Sequence, residues 1–234
     1  MKKSFLALTM AIAFGFVAAV GLCVRALSGT VSVAAFDEGL KIVIDAGHGG
    51  VDGGVVGRAT GVKESDLNLD ISYVLKGVLE DMGFEVTMTR KTQAGLYDTT
   101  AKGFKKRDMQ KRREIVQSAA PDFVLSVHQN YYPSASSRGG QVFYQKESET
   151  GKALAGILQD KINALYAQNG VKGRKMTTGD FFMLKCYHCP SVLLECGFLS
   201  NAEDEKLLCE EKWQRKFAES VAAGLVEFLS GSTA

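Results

Sequence analysis

Only three histidines occur in this chain of 234 residues, and two of them stand at the ends of apolar runs. His48 follows KIVIDAG, and His128 closes DFVLSVH. A third apolar run, SVLLE, ends on Glu195. Imidazoles and carboxylates held at strand ends suit acid–base or metal chemistry, because an ionised carboxylate stays buried only when paired or metal-bound. A catalytic zinc takes three such ligands and keeps one position open for water. Glu64, shortly after the glycine-rich stretch and just ahead of a helix, is the third candidate. An acidic residue is also favourable at a helix N-terminus for purely local reasons. Asp45 and Asn130 are weaker candidates for supporting or substrate-contacting groups, and a turn cap would explain either equally well.

The glycines around His48 raise a competing reading, a phosphate cradle. In GHGGVD, however, Asp52 takes the third glycine position of the dinucleotide fingerprint, where a carboxylate would repel pyrophosphate. No Walker lysine follows, and the next helix does not open at this loop. A nucleotide site is therefore not expected.

The elements that must position these groups alternate. The pattern predicts a strand at 41–44, a loop to 63, and a helix over 65–82 with Leu67, Ile71, Val74, Leu75, Val78 and Met82 on one stripe. Strands at 84–90, 122–127, 140–145 and 191–195 alternate with helices at 104–119, 148–168 and 210–229. Such alternation predicts an α/β fold: one domain with a mostly parallel twisted sheet covered by helices on both faces. In these sheets reacting groups collect beyond the carboxyl ends of the strands.

Composition bounds the rest. Met1, Lys2 and Lys3 precede an uncharged, strongly apolar run over residues 4–24, ahead of Arg25. That run exceeds the roughly 7–15 residues of a signal core and matches the about 20 that span a bilayer. Residues 1–35 are expected to be a signal peptide or membrane anchor, which implies export and, if uncleaved, attachment to the membrane. The catalytic domain would then be residues 36–234. Of the 28 Lys and Arg, three lie in this leader, and the remainder nearly balance the 26 Asp and Glu, so nucleic acid is not an expected partner. One basic run remains, KGFKKRDMQKRR, which reads first as a solvated helix face. The five cysteines are an odd number, and CYHC lacks the second CxxC of a zinc ribbon, so two half-buried thiols or a local disulfide are expected at Cys186 and Cys189.

Together IDAGHGG, the glutamate after it, SVHQN and VLLECGFLSNAEDEKLL resemble the ordered signatures of the zinc-dependent N-acetylmuramoyl-L-alanine amidases of the amidase-3 type, over residues 41–230. The resemblance implies one catalytic Zn2+ held by His48, Glu64 and His128, with Glu195 as the catalytic carboxylate. It implies peptidoglycan as substrate, hydrolysed between N-acetylmuramic acid and L-alanine, outside the membrane in the cell wall or spore cortex. A regulatory protein partner is a further expectation. Ala46 stands where many relatives carry proline, and Gln129 where a small residue is common. The interval from His128 to Glu195 is too short for the inhibitory helical insertion of some cell-division relatives. The compact, repeat-free chain is similar to amidases that modify spore-cortex peptidoglycan.

Overall fold

The computed structural model describes residues 39–231. The leader expected over residues 1–35 lies outside them. Among the described residues no helix is long and apolar enough to cross a membrane.

Among the described residues six strands and five α-helices alternate. Strand β1 (Lys41–Ala46) is followed by α1 (Glu64–Asp81), β2 (Glu85–Met88), α2 (Phe104–Ala119), β3 (Phe123–Asn130) and β4 (Gln141–Tyr144). Then come α3 (Glu149–Ala167), β5 (Thr177–Thr178), a 3-10 turn (Phe182–Lys185), β6 (Ser191–Phe198), α4 (Ala202–Leu208) and α5 (Glu211–Gly231). One sheet has the order β2-β1-β3-β6-β4-β5. The pairs β2–β1, β1–β3 and β3–β6 are parallel, whereas β4 runs antiparallel to β6. The predicted architecture is thus the observed one. The strand after Pro121 extends to Asn130, and α1 begins at Glu64 itself. The two-residue β5, the 3-10 turn and α4 had no periodic pattern long enough to read.

The two faces of the sheet are covered unequally, and this decides where chemistry can occur. Ile42, Ile44 and Ala46 of β1, Leu125 and Val127 of β3, and Val192, Leu194 and Cys196 of β6 join the main core. Helices α1, α3 and α5 cover this face with Leu75, Leu158, Phe217, Val221 and other fully buried side chains. On the opposite face only Val43, Val116, Val124, Met183 and Cys186 form a small cluster, under α2 and the 3-10 turn. Because side chains alternate along a strand, Asp45, Ser126, His128 and Glu195 share that thinly covered face. The register pairs Asp45 with Ser126 and His128 with Glu195, and the β3–β6 ladder shifts register between His128 and Asn130. A bulge of this kind re-aims side chains beside a site.

Cys186 and Cys189 are free thiols, the first buried and the second half-buried. Helix α3, which occupies the interval between His128 and Glu195, packs on α5 and β4.

Leu75 is fully enclosed between α1 and the sheet. Leu75→Ala should lower unfolding stability by about 2–5 kcal/mol, read by denaturant titration. A loss under about 1 kcal/mol would mean that this face is loosely packed.

Candidate metal centre

Glu64 is the first residue of α1, and the helix start is held in place without a capping side chain. Its backbone N–H donates to Val55 O (2.9 Å), and that of Ser65 donates to Gly53 O (3.1 Å). The glycine-rich loop thus supplies the acceptors that a helix N-terminus normally lacks. The Glu64 carboxylate turns back into the same loop. Its Oε2 accepts from Val55 N (2.9 Å), and its Oε1 accepts from Gln129 N (3.2 Å) and more weakly from Asn68 Nδ2 (3.4 Å).

Both imidazoles meet that carboxylate. His128 Nδ1 lies 2.9 Å from Glu64 Oε1, and His48 Nε2 lies 3.2 Å from the same oxygen. The two rings stand edge to face, with centroids 5.1 Å apart. One donor atom from each of the three residues lies within 4.8 Å of the others, a group able to hold a metal ion. Two imidazole nitrogens with one carboxylate suit zinc better than the all-oxygen preference of calcium or magnesium. His48 Nδ1 faces Asp52 Oδ2 at 3.2 Å, and Lys105 holds the other oxygen of Asp52 at 3.1 Å. An orienting carboxylate on the far nitrogen fixes which nitrogen a metal would meet.

The loop glycines explain how backbone and rings come so close. A Cβ on Gly47 would run into the His128 ring, and one on Gly54 (φ 67°) into the Glu64 carboxylate. Between them His48 adopts φ 61°, a left-handed conformation rare outside glycine. Two buried arginines hold this strained segment by its carbonyls. Arg112 donates to Ala46 O (2.7 Å) and His48 O (2.5 Å), and Arg90 donates to Ala46 O (2.8 Å) and Gly47 O (3.0 Å). Asp45 is spent on this support. It accepts from Arg112 (2.7 Å), Thr89 Oγ1 (2.7 Å) and Ser126 Oγ (2.7 Å). Burial opposes charge on Asp45 and Arg112 alike, yet their pairing, with Asp108 on Arg112, keeps both ionised. Asn130 caps the N–H of Tyr131 (2.8 Å) instead of joining this cluster.

The basic run over residues 102–113 needs a correction. Most of its cations are exposed, but Arg112 is buried because it belongs to the face Asp108, Arg112, Val116 at spacings of four. That spacing was legible. The salt-bridge partner Asp45, 67 residues away, was not.

Glu195 completes the constellation. It lines a cavity of about 520 Å³ with His48, Glu64, His128, Phe181, Met183 and others. Its Oε2 is sealed from solvent without a hydrogen-bond partner. Burial, reinforced by nearby Glu64 and only partly offset by the histidines, pushes its carboxyl up to about 7. Glu64 goes the other way: burial would raise it, but the two histidines hold it well below the usual carboxylate range. Two carboxylates with affinities driven apart in one cavity are an arrangement suited to acid–base work.

Known proteins resemble this chain in sequence and in fold. Residues 42–227 match the N-acetylmuramoyl-L-alanine amidase family, Amidase_3. The germination-specific N-acetylmuramoyl-L-alanine amidase of Bacillus subtilis (strain 168) is 30% identical over 196 residues, covering 82% of this chain and 81% of that protein. The CwlD amidase of Clostridioides difficile, solved in complex with the GerS lipoprotein, superposes with a TM-score of 0.76 at 31% identity, covering 82% and 98% of the two chains. The catalytic domain of CwlV from Bacillus (Paenibacillus) polymyxa var. colistinus gives 0.70 at 29% identity, with the same coverage. The protein is an α/β-fold enzyme that hydrolyses an amide bond in peptidoglycan. It belongs to the N-acetylmuramoyl-L-alanine amidase family, whose reaction cuts N-acetylmuramic acid from L-alanine and so removes stem peptides from the wall.

Two outcomes follow for the cluster. Gly47→Ala should displace the His128 ring and weaken metal binding by roughly 10–100-fold in chelator competition, with the circular dichroism spectrum retained; unchanged affinity would refute the packing argument. In metal-free protein, Glu195→Gln should stabilise the fold at pH 8 by roughly 1–3 kcal/mol. The unfolded carboxyl ionises near 4.5 and the folded one near 7, so the cost of Glu195 is nil below pH 4.5, grows as pH rises between those values, and then levels off. A pH-independent difference in melting between variant and wild type would contradict it.

Proposed function

We propose that the amidase is zinc-dependent, with His48 Nε2, Glu64 and His128 Nδ1 as the protein ligands and Glu195 as the general base and acid. The observation that carries this reading is the convergence of both histidines on Glu64 Oε1, at 3.2 and 2.9 Å, beside a carboxylate with an unpartnered oxygen. A zinc ion there would polarise the scissile carbonyl and acidify water, the Lewis-acid chemistry that amide hydrolysis needs. Glu195 accepts a proton from the attacking water and returns it to the nitrogen of the departing L-alanine. Burial raises the proton affinity of Glu195 above that of an ordinary carboxyl, the direction that a proton shuttle near neutral pH needs. Glu64 cannot share the task, since its proton affinity is too low. Arg90 and Arg112 hold the His48 segment through its carbonyls, and Asp52 orients the His48 ring.

The domain at work is residues 36–234, and residues 1–35 act as its signal or membrane anchor, so that the substrate is met outside the membrane. Likeness to the germination-specific amidase and to CwlD supports the spore cortex as the particular wall layer. The CwlD structure with GerS also supports a protein partner for this chain.

The test is product analysis on peptidoglycan. Wild-type protein with zinc should release intact stem peptides bearing a free L-alanine amine, and chelation followed by zinc should abolish and restore it. Glu195→Gln should lower kcat by roughly 10²–10⁴-fold while zinc remains stoichiometric. Acetate release or cut cross-bridges would point instead to a deacetylase or peptidase, and undiminished turnover in the variant would remove Glu195 from the mechanism.

A further inference from the structure

Two of the few large exposed hydrophobic side chains, Tyr131 and Tyr132, follow directly on β3, at 40% and 56% exposure. Single exposed aromatics are ordinary. These two differ because the Tyr131 side chain and the backbone of Tyr132 are each held by hydrogen bonds. Arg58 from the glycine-rich loop donates from Nε to the Tyr131 hydroxyl (3.0 Å) and from Nη2 to Pro133 O (3.1 Å), with its guanidinium 5.3 Å from the Tyr131 ring centre. Asn130 Oδ1 accepts from Tyr131 N (2.8 Å), and Ser200 Oγ accepts from Tyr132 N (3.0 Å).

Two buried carboxylates of α4 brace the loops on either side. Glu205 accepts from Ala59 N (2.8 Å), Thr60 N (2.7 Å) and Thr60 Oγ1 (2.6 Å). Asp204 accepts from Gly139 N (2.8 Å), Phe198 N (3.2 Å) and Arg138 Nε (2.9 Å). None of these contacts supports the cavity around Glu195. They stiffen Arg58 and the segment carrying the tyrosines.

The position is informative. Tyr131 is three residues beyond His128, and Arg58 three beyond Val55, which lines the catalytic cavity. Three residues of chain reach at most about 10 Å. Both sides of the platform are therefore tethered within that distance of the cavity's own backbone. Adjacent exposed rings beside a donor-rich guanidinium suit a sugar, whose C–H faces pack on the electron-rich ring faces and whose hydroxyls accept from Arg58.

The geometry points to Tyr131, Tyr132 and Arg58 as a subsite for the glycan strand, which carries sugars next to the muramoyl residue being cut. This assignment rests on peptidoglycan being the substrate, and its test does not depend on catalysis. Peptide-free glycan strands, prepared chemically, are titrated calorimetrically into wild-type protein, Tyr131→Ala/Tyr132→Ala and Tyr131→Phe/Tyr132→Phe. The double alanine should weaken binding about tenfold or more, and the double phenylalanine, which keeps the rings, by no more than about threefold. Equal affinity in the double alanine, an equal loss in both variants, or no binding of the strands by wild type would overturn the subsite. Stem-peptide release by the same wild-type preparation reports separately on the amidase centre, so failure of one reading is not mistaken for failure of the other.

Discussion

The structure depends on one carboxylate kept ionised in a place that disfavours charge. Glu64 sits buried at the first residue of α1, where burial alone would protonate it. It stays charged because two histidines and two backbone N–H groups converge on it. The four partners arrive from two other elements: a glycine-rich loop for His48 and Val55, and the end of β3 for His128 and Gln129. The sheet register, the unusual helix start and the loop glycines are all consequences of bringing those pieces into one volume.

Uneven covering of the sheet is the second condition. Three long helices seal one face with a continuous apolar core, which supplies stability without involving the polar groups opposite. The other face is closed only by α2 and the 3-10 turn, leaving a cavity over the strand ends. There a raised carboxyl at Glu195 and a depressed one at Glu64 coexist because one lacks protein donors and the other is saturated with them. The ionic network of Asp45, Arg112 and Asp108 lies just beneath, holding carbonyls that a left-handed His48 would otherwise leave strained and unpartnered.

Much of this was legible in residue order. Periodicity located five of the six described strands and the four longer helices, because each buries enough apolar side chains to leave a repeat of two or of 3.6. Two histidines and Glu195 at the ends of apolar runs were visible as misplaced polarity. The supporting layer was not. Arg90 ends the strand expected over 84–90 and Arg112 lies in a run that reads as a solvated helix face, and partners as far as 67 residues away in the chain make them interior. Asp45, which reads in the sequence as a supporting or substrate-contacting group or a turn cap, is the counter-ion of Arg112. Asn130 became a cap for a tyrosine. Short elements such as β5 and α4 lacked the length for a pattern, although α4 carries the carboxylates that brace two loops.

By itself the sequence determined the α/β alternation, the family motifs and the identity of the four groups in the cavity, since these rest on local spacing and on the cost of burying charge. Tertiary structure alone decided which nitrogen of each imidazole meets Glu64, why Gly47 and Gly54 must lack side chains, and which carboxylate rises and which falls in proton affinity. Those are properties of distance and desolvation between segments far apart in the chain. No local pattern encodes them.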